Sequence, residues 1–166
     1  MIEVFCLLLE GAQAGLNWLT ILKKRNNYRK AFDSFDYNKV ANYLEEDIER
    51  LLNDSGIIRN HLKIKSAIKN ANAFINIQDE FGSFDKYICS YVNNKPIHNS
   101  WKSQEELLAK SKISEAMSKD LKKRGFNFVG PTICYAFMQA IGMVNDHTTD
   151  CYRYKQIKVR LNHTLL

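Results

Sequence analysis

The chain has 166 residues, enough for one domain with a sizeable core. Apolar residues make up 45% and charged residues 25%, which excludes a disordered or low-complexity chain. A net charge of +6 favours an anionic partner and by itself goes no further.

The opening segment, MIEVFCLLLEGAQA (1–14), joins an apolar run to an A-x-A motif. A secretory signal needs a positive start and a longer apolar stretch. Here Glu3 precedes the run Val4–Leu9 and Glu10 closes it, so no signal peptide is expected. No other apolar run approaches the ~18 residues of a membrane span. The four cysteines form no C-x-x-C pair, and Cys6, Cys89 and Cys134 lie in apolar runs. That usage points to a reducing, cytoplasmic compartment.

Helical periodicity runs through almost the whole chain. Ile2, Phe5, Cys6, Leu8 and Leu9 form one apolar face; after the break GAQAG, Leu16, Leu19, Ile21 and Leu22 resume it up to the basic stop KKR (23–25). Asp36 can cap a short helix holding Val40 and Tyr43. Leu44, Ile48, Leu51 and Leu52 form one stripe that Gly56 ends. A long amphipathic helix is expected from His61 to Gln78, and Ser83 caps another containing Phe84, Tyr87, Ile88 and Tyr91. Asn93 to Ser103 reads as a loop. Ser114–Arg124 and a helix from Pro131 to about Ile141 complete the pattern. Only 155–161 alternates, through Ile157, Val159 and Leu161; a lone strand has no partner there, so 153–166 is expected as a loose tail behind a domain of residues 1–152. The expected fold is all-α, with about eight short helices.

The stretch SKDLKKRGFNFVGPTICYAFMQAIG (118–142) reads as helix, tight turn, helix, with Gly125 and Gly130 bracketing Phe126–Val129. This is the shape of a helix-hairpin-helix, whose backbone N–H groups can point at one phosphate without reading sequence. Gly130 would permit close approach, Thr132 could add a hydroxyl, and Lys122, Lys123 and Arg124 would supply charge. An ordinary αα-hairpin with a Gly C-cap and Pro at its first turn has the same pattern.

Two further features carry chemistry. Glu10 ends an apolar run, and Trp18 follows just past a glycine-containing break. A carboxylate beside an aromatic face suits a flat cationic ligand; a capping Glu and a core Trp fit the same residues. His147 and Cys151 are four apart, a spacing that two ligands of one metal use, whereas a structural zinc site takes four nitrogen and sulfur ligands.

Taken together, LEGAQAGLNWLTILKKR (9–25), SGIIRN (55–60) with KI (63–64), FGSFDKYICSYVNNKP (81–96), LKKRGFNFVGPTICYAFMQAIGMVNDH (121–147) and Cys151 resemble the DNA-3-methyladenine glycosylase I family. The similarity spans most of 4–151 in family order. It implies a helix-hairpin-helix DNA glycosylase-like helical domain, a monomer acting on double-stranded DNA that contains alkylated bases. The implied reaction is hydrolysis of the N-glycosidic bond of 3-methyladenine after the base is flipped into a pocket. Carried over residue by residue, Glu10 is the pocket carboxylate and catalytic candidate, and Trp18 a stacking wall. Gly15 and Leu16 probe the gap left in the duplex, and the hairpin 125–132 grips the backbone. No lysine nucleophile stands in the pocket motif, so strand cleavage is not expected.

The resemblance also implies a structural zinc held by four ligands. His147 and Cys151 match the C-terminal pair. The matching Cys and His would precede Ile2, so an N-terminally truncated chain with an incomplete site is expected. The alternative is a catalytically impaired remnant that binds DNA non-specifically through its hairpin. Leu62 stands where a small residue is usual in the family, which could alter the start of the helix there.

Overall fold

The structure, a computed structural model, describes Gly15 and residues 17–161, without the side chains of 159–161. Eight α-helices occur among the described residues: α1 (Trp18–Ala31), α2 (Tyr37–Ala41), α3 (Glu45–Asn53), α4 (His61–Phe81), α5 (Phe84–Ser90), α6 (Lys112–Lys123), α7 (Pro131–Ala140) and α8 (Tyr152–Leu161). Two strands of two residues each, β1 (Ile97–His98) and β2 (Val144–Asn145), pair in parallel, Ile97 opposite Val144 and His98 opposite Asn145. The all-α expectation holds.

Local chemistry sets most of the helix starts. The Asn17 side chain accepts from Leu19 N–H, Asp36 from Asn38 and Lys39, Asn60 from Lys63, and Ser83 from Lys86. Each satisfies amides that a helix N-terminus leaves without partners. Leu62 sits in the first turn of α4 and is 70% exposed, so it faces water and leaves the Asn60 cap intact.

Helix α4 is the spine. Its first half gives Ile64, Ala67 and Ala71 to one core with Ile21, Tyr28, Phe32 and Leu51. Its second half gives Ala73, Phe74 and Ile77 to another, with Met117, Leu121, Phe126, Cys134, Phe137 and Met138. Tyr37 packs against both cores. The second core therefore holds both arms of the 112–140 hairpin rigidly against α4 and α5.

Two elements differ from expectation. Helix α1 runs past KKR to Ala31, because Tyr28 and Ala31 are buried in the first core; Lys24 Nζ donating to Ser55 O (2.9 Å) and Asn27 Nδ2 to Gly56 O (3.3 Å) add to this. The segment expected as a loose tail forms α8 as far as Leu161, anchored by buried Tyr154, to whose carbonyl Asn145 Nδ2 donates (3.1 Å). No described helix is long and apolar enough to cross a membrane.

Candidate functional site

The hairpin is built from a specific set of backbone bonds. Phe126 N–H donates to Leu121 O (3.0 Å) and Gly125 N–H to Lys122 O (3.1 Å), while Gly125 takes φ +96°. This is a Schellman ending, which requires a left-handed residue just past the helix, and glycine adopts that state without strain. Phe126 and Leu121 are both buried in the second core. Across the turn, Ser118 Oγ donates to Val129 O (2.6 Å), tying α6 to the chain that enters α7.

Gly130 differs from Gly125. Its φ is −62°, which any residue adopts, and a Cβ there would meet no atom within 4 Å. Nothing inside the protein asks for glycine at this position. It is the N-cap of α7, no side chain caps that end, and Pro131 occupies the first turn. The N–H groups of Thr132 and Ile133 thus belong to an uncapped helix N-terminus, the positive end of the helix dipole. Thr132 is exposed, as are Lys122 and Lys123 across the turn. A helix N-terminus without a side-chain cap, fronted by Gly130, is a feature that suits a phosphate, and Lys122 and Lys123 add exposed positive charge on the same hairpin.

Arg124 is placed otherwise. Its guanidinium donates to Glu80 (2.6 and 3.2 Å) and to Asp120 (3.0 Å), and lies 4.9 Å and 5.1 Å from the ring centroids of Phe81 and Tyr87. Asp120 also accepts from Tyr87 (2.8 Å) and Tyr91 (3.0 Å). Burial pushes the Asp120 carboxyl up, but bonds from Tyr87, Arg124 and Tyr91 outweigh it and hold it below the usual carboxylate range. A depressed folded pKa contributes stability above the unfolded value, and that contribution is lost as pH falls through the folded one. Melting temperature should therefore fall as pH drops from about 5 to 3, and Asp120→Asn should fall less over that window. Parallel pH profiles of the two proteins would contradict this.

Trp18 opens α1 and is 38% exposed, so its ring is no core residue. Gly15 takes φ +75° with open space around it, a turn that a side chain would strain. Glu10, Leu16 and Cys6 lie outside the described residues. Buried Cys134 has its thiol pushed up to about 12 by burial, so it is an inert packing residue.

His147 Nδ1 and Cys151 Sγ lie 3.5 Å apart. Two ligands on one tetrahedral zinc, at ~2.05 Å for nitrogen and ~2.3 Å for sulfur, stand about that far apart. The pair fits two positions of such a site; no cluster of three metal-ligating side chains occurs among the described residues. Sequence reasoning missed what positions the pair. Asp146 accepts from Asn99 (2.6 Å), Trp101 Nε1 (2.8 Å) and Gln139 (2.7 Å), and Thr149 N–H donates to Trp101 O (2.9 Å). With β1–β2, these bonds clamp the turn carrying His147 and Cys151 onto the 97–101 loop. The acidic Asp146 beside a metal-type spacing was the available signal, but its donors are distant in sequence.

The described residues thus form a helical domain with an exposed helix-hairpin-helix turn. Residues 3–154 match the Methyladenine glycosylase family, and the chain belongs to that family. DNA-3-methyladenine glycosylase 1 of Escherichia coli is 49% identical over 154 residues, covering 93% of this chain and 81% of that protein. A crystal structure of 3-methyladenine DNA glycosylase I superimposes with TM-score 0.87 at 47% identity, covering 90% of this chain and 82% of that one. The Staphylococcus aureus enzyme, solved to explain 3-methyladenine recognition, gives TM-score 0.88 at 36% identity, over 91% and 80%. The helix-hairpin-helix glycosylase-like fold expected from the sequence is the fold of these structures, and the expected enzyme class is theirs.

Proposed function

We propose that this protein hydrolyses the N-glycosidic bond of 3-methyladenine in alkylated double-stranded DNA, without cutting the strand. The family match over 3–154 carries the reading, because its span includes both the Glu10 segment and the hairpin. Alkylation gives the adenine ring a formal positive charge, which makes it a good leaving group. Water adds to C1′ of the sugar as the C1′–N9 bond breaks; the bonding pair leaves with the base, which departs neutral, and the water proton passes to solvent. Little acid catalysis is needed, so the enzyme's work is to select and present a cationic base.

Each residue then has a task. The target nucleotide leaves the stack, at a cost that a damaged base lowers. Glu10 accepts N–H groups of the flipped cation and stabilises its charge; the Trp18 face, already exposed, stacks on it. Gly15 and Leu16 enter the gap in the duplex. The N–H groups of Thr132 and Ile133 hold one backbone phosphate, Gly130 lets it approach, and Lys122 and Lys123 add charge. Arg124, already neutralised by Glu80 and Asp120, holds the hairpin in place instead of meeting DNA. His147 and Cys151 would hold two positions of a structural zinc, which would fix the 147–151 turn and take no part in the reaction.

The hairpin assignment has its own test. Lys122→Ala/Lys123→Ala should weaken binding to undamaged duplex equally across sequences and lower the slope of log K against log salt by roughly 2. An unchanged slope would remove both lysines from the interface.

A further inference from the structure

The arms of the hairpin are packed into the second core, but the outer part of its turn, Asn127 and Phe128, is exposed. Between the hairpin and α4 lies an open groove of ≈ 580 Å³ bordered by Lys69, Asn72, Asn76, Lys122 and Asn127. Phe126 and Val129 are buried at the two ends of the turn, whereas Asn127 and Phe128 between them have less apolar contact to hold them. A side chain of α4, Asn70, reaches across to this turn. Its Oδ1 accepts from Asn127 N–H (2.8 Å) and its Nδ2 donates to Asn127 O (3.1 Å). A single amide thus pairs with both backbone groups of one residue, as a neighbouring strand would.

The residue held in this way is next to a strained one. Phe128 takes φ +55°, a left-handed state that is unfavourable for a bulky side chain, and it is 37% exposed. Backbone in such a state persists only where its surroundings over-determine it. Two residues later comes Gly130, whose bare backbone starts the phosphate site. The peptide bonds from Asn127 to Gly130 therefore set where the Thr132 and Ile133 amides point. Glu80 holds Arg124 before the turn and Ser118 holds Val129 O after it, so Asn70 is what grips Asn127 between them.

We infer that Asn70 is a positioning residue for DNA binding: by pairing with both backbone groups of Asn127 it holds the strained hairpin tip in the phosphate-gripping conformation. This rests on the hairpin being the DNA grip of a glycosylase, and it adds a residue that does not itself touch DNA.

The test compares wild type, Asn70→Ala and Asn70→Asp. In Asn70→Ala, KM for methylated duplex should rise about five- to tenfold for the loss of two hydrogen bonds, while kcat at saturating DNA changes less than twofold. Hydrogen exchange of the Asn127 amide should accelerate about tenfold or more, with core amides unchanged. Asn70→Asp keeps the acceptor, so the Asn127 amide should stay protected; this readout stands even if the alanine variant folds poorly. An unchanged KM with a freed Asn127 amide, or an Asn127 amide unaffected by either substitution, would overturn the inference. Wild type that neither binds duplex nor releases base would instead overturn the functional reading, leaving the exchange result to judge Asn70.

Discussion

Glu10→Gln is expected to lower kcat/KM for release of 3-methyladenine by roughly 10²-fold, the usual cost of one preorganised electrostatic partner. Glutamine keeps the shape and one acceptor oxygen but not the negative charge, and the charge is what separates a cationic base from neutral adenine. Affinity for undamaged duplex should be unchanged, because the hairpin is intact. The thermal melt should not fall, since a carboxylate closing an apolar run is no stabilising feature. Measuring free base released from methylated DNA, with a binding titration alongside, decides it. Equal release by wild type and variant would sink the pocket assignment.

Asp146→Ala is expected to destabilise the protein by about 2–3 kcal/mol, because it strips the acceptor from Asn99, Trp101, Gln139 and Tyr135 at once. Asn99 and Trp101 belong to the 97–101 loop, whereas Gln139 and Tyr135, which also bonds this carboxylate, belong to α7, so Asp146 joins the two. For a chain of this length that corresponds to a melting temperature roughly 5–10 °C lower. Asp146→Asn retains one acceptor oxygen and should lie between. The loosened part should be the junction of 97–101 with 144–151, so amides near Thr149 should lose protection before those of α4. A melt unchanged in Asp146→Ala would mean that the junction is held by β1–β2 and the apolar contacts alone.

The fold was largely legible because its helices bury one face each, and a 3.6-residue period survives any loop arrangement. The hairpin was legible for a second reason: its glycines and proline sit where helix ends need them. What escaped was tertiary. A basic run such as KKR is as comfortable inside a helix as at its end, and what keeps α1 helical beyond it is distant in sequence: Ser55, Gly56 and the core that buries Tyr28 and Ala31. The alternation of Ile157, Val159 and Leu161 is also compatible with an amphipathic turn, and buried Tyr154 selects the helix. The β1–β2 pair is too short to leave a pattern at all.

The site divides along the same line. Lys122, Lys123, Gly130 and Thr132 lie in one contiguous motif, so their common place on the hairpin was readable, and Lys122, Lys123 and Thr132 are exposed there. Arg124 looked like a third phosphate ligand, yet Glu80 and Asp120 capture it, one from another helix and one a turn back. The grip of Asn70 on Asn127 spans 57 residues and has no local signature.

The most direct test incubates the full chain with methylated duplex DNA and follows free base chromatographically, while the DNA is analysed for strand breaks. The account predicts release of 3-methyladenine, alkali-labile abasic sites in equal number and intact strands before alkali treatment. Salt-sensitive DNA binding with no base release at any enzyme concentration would contradict it.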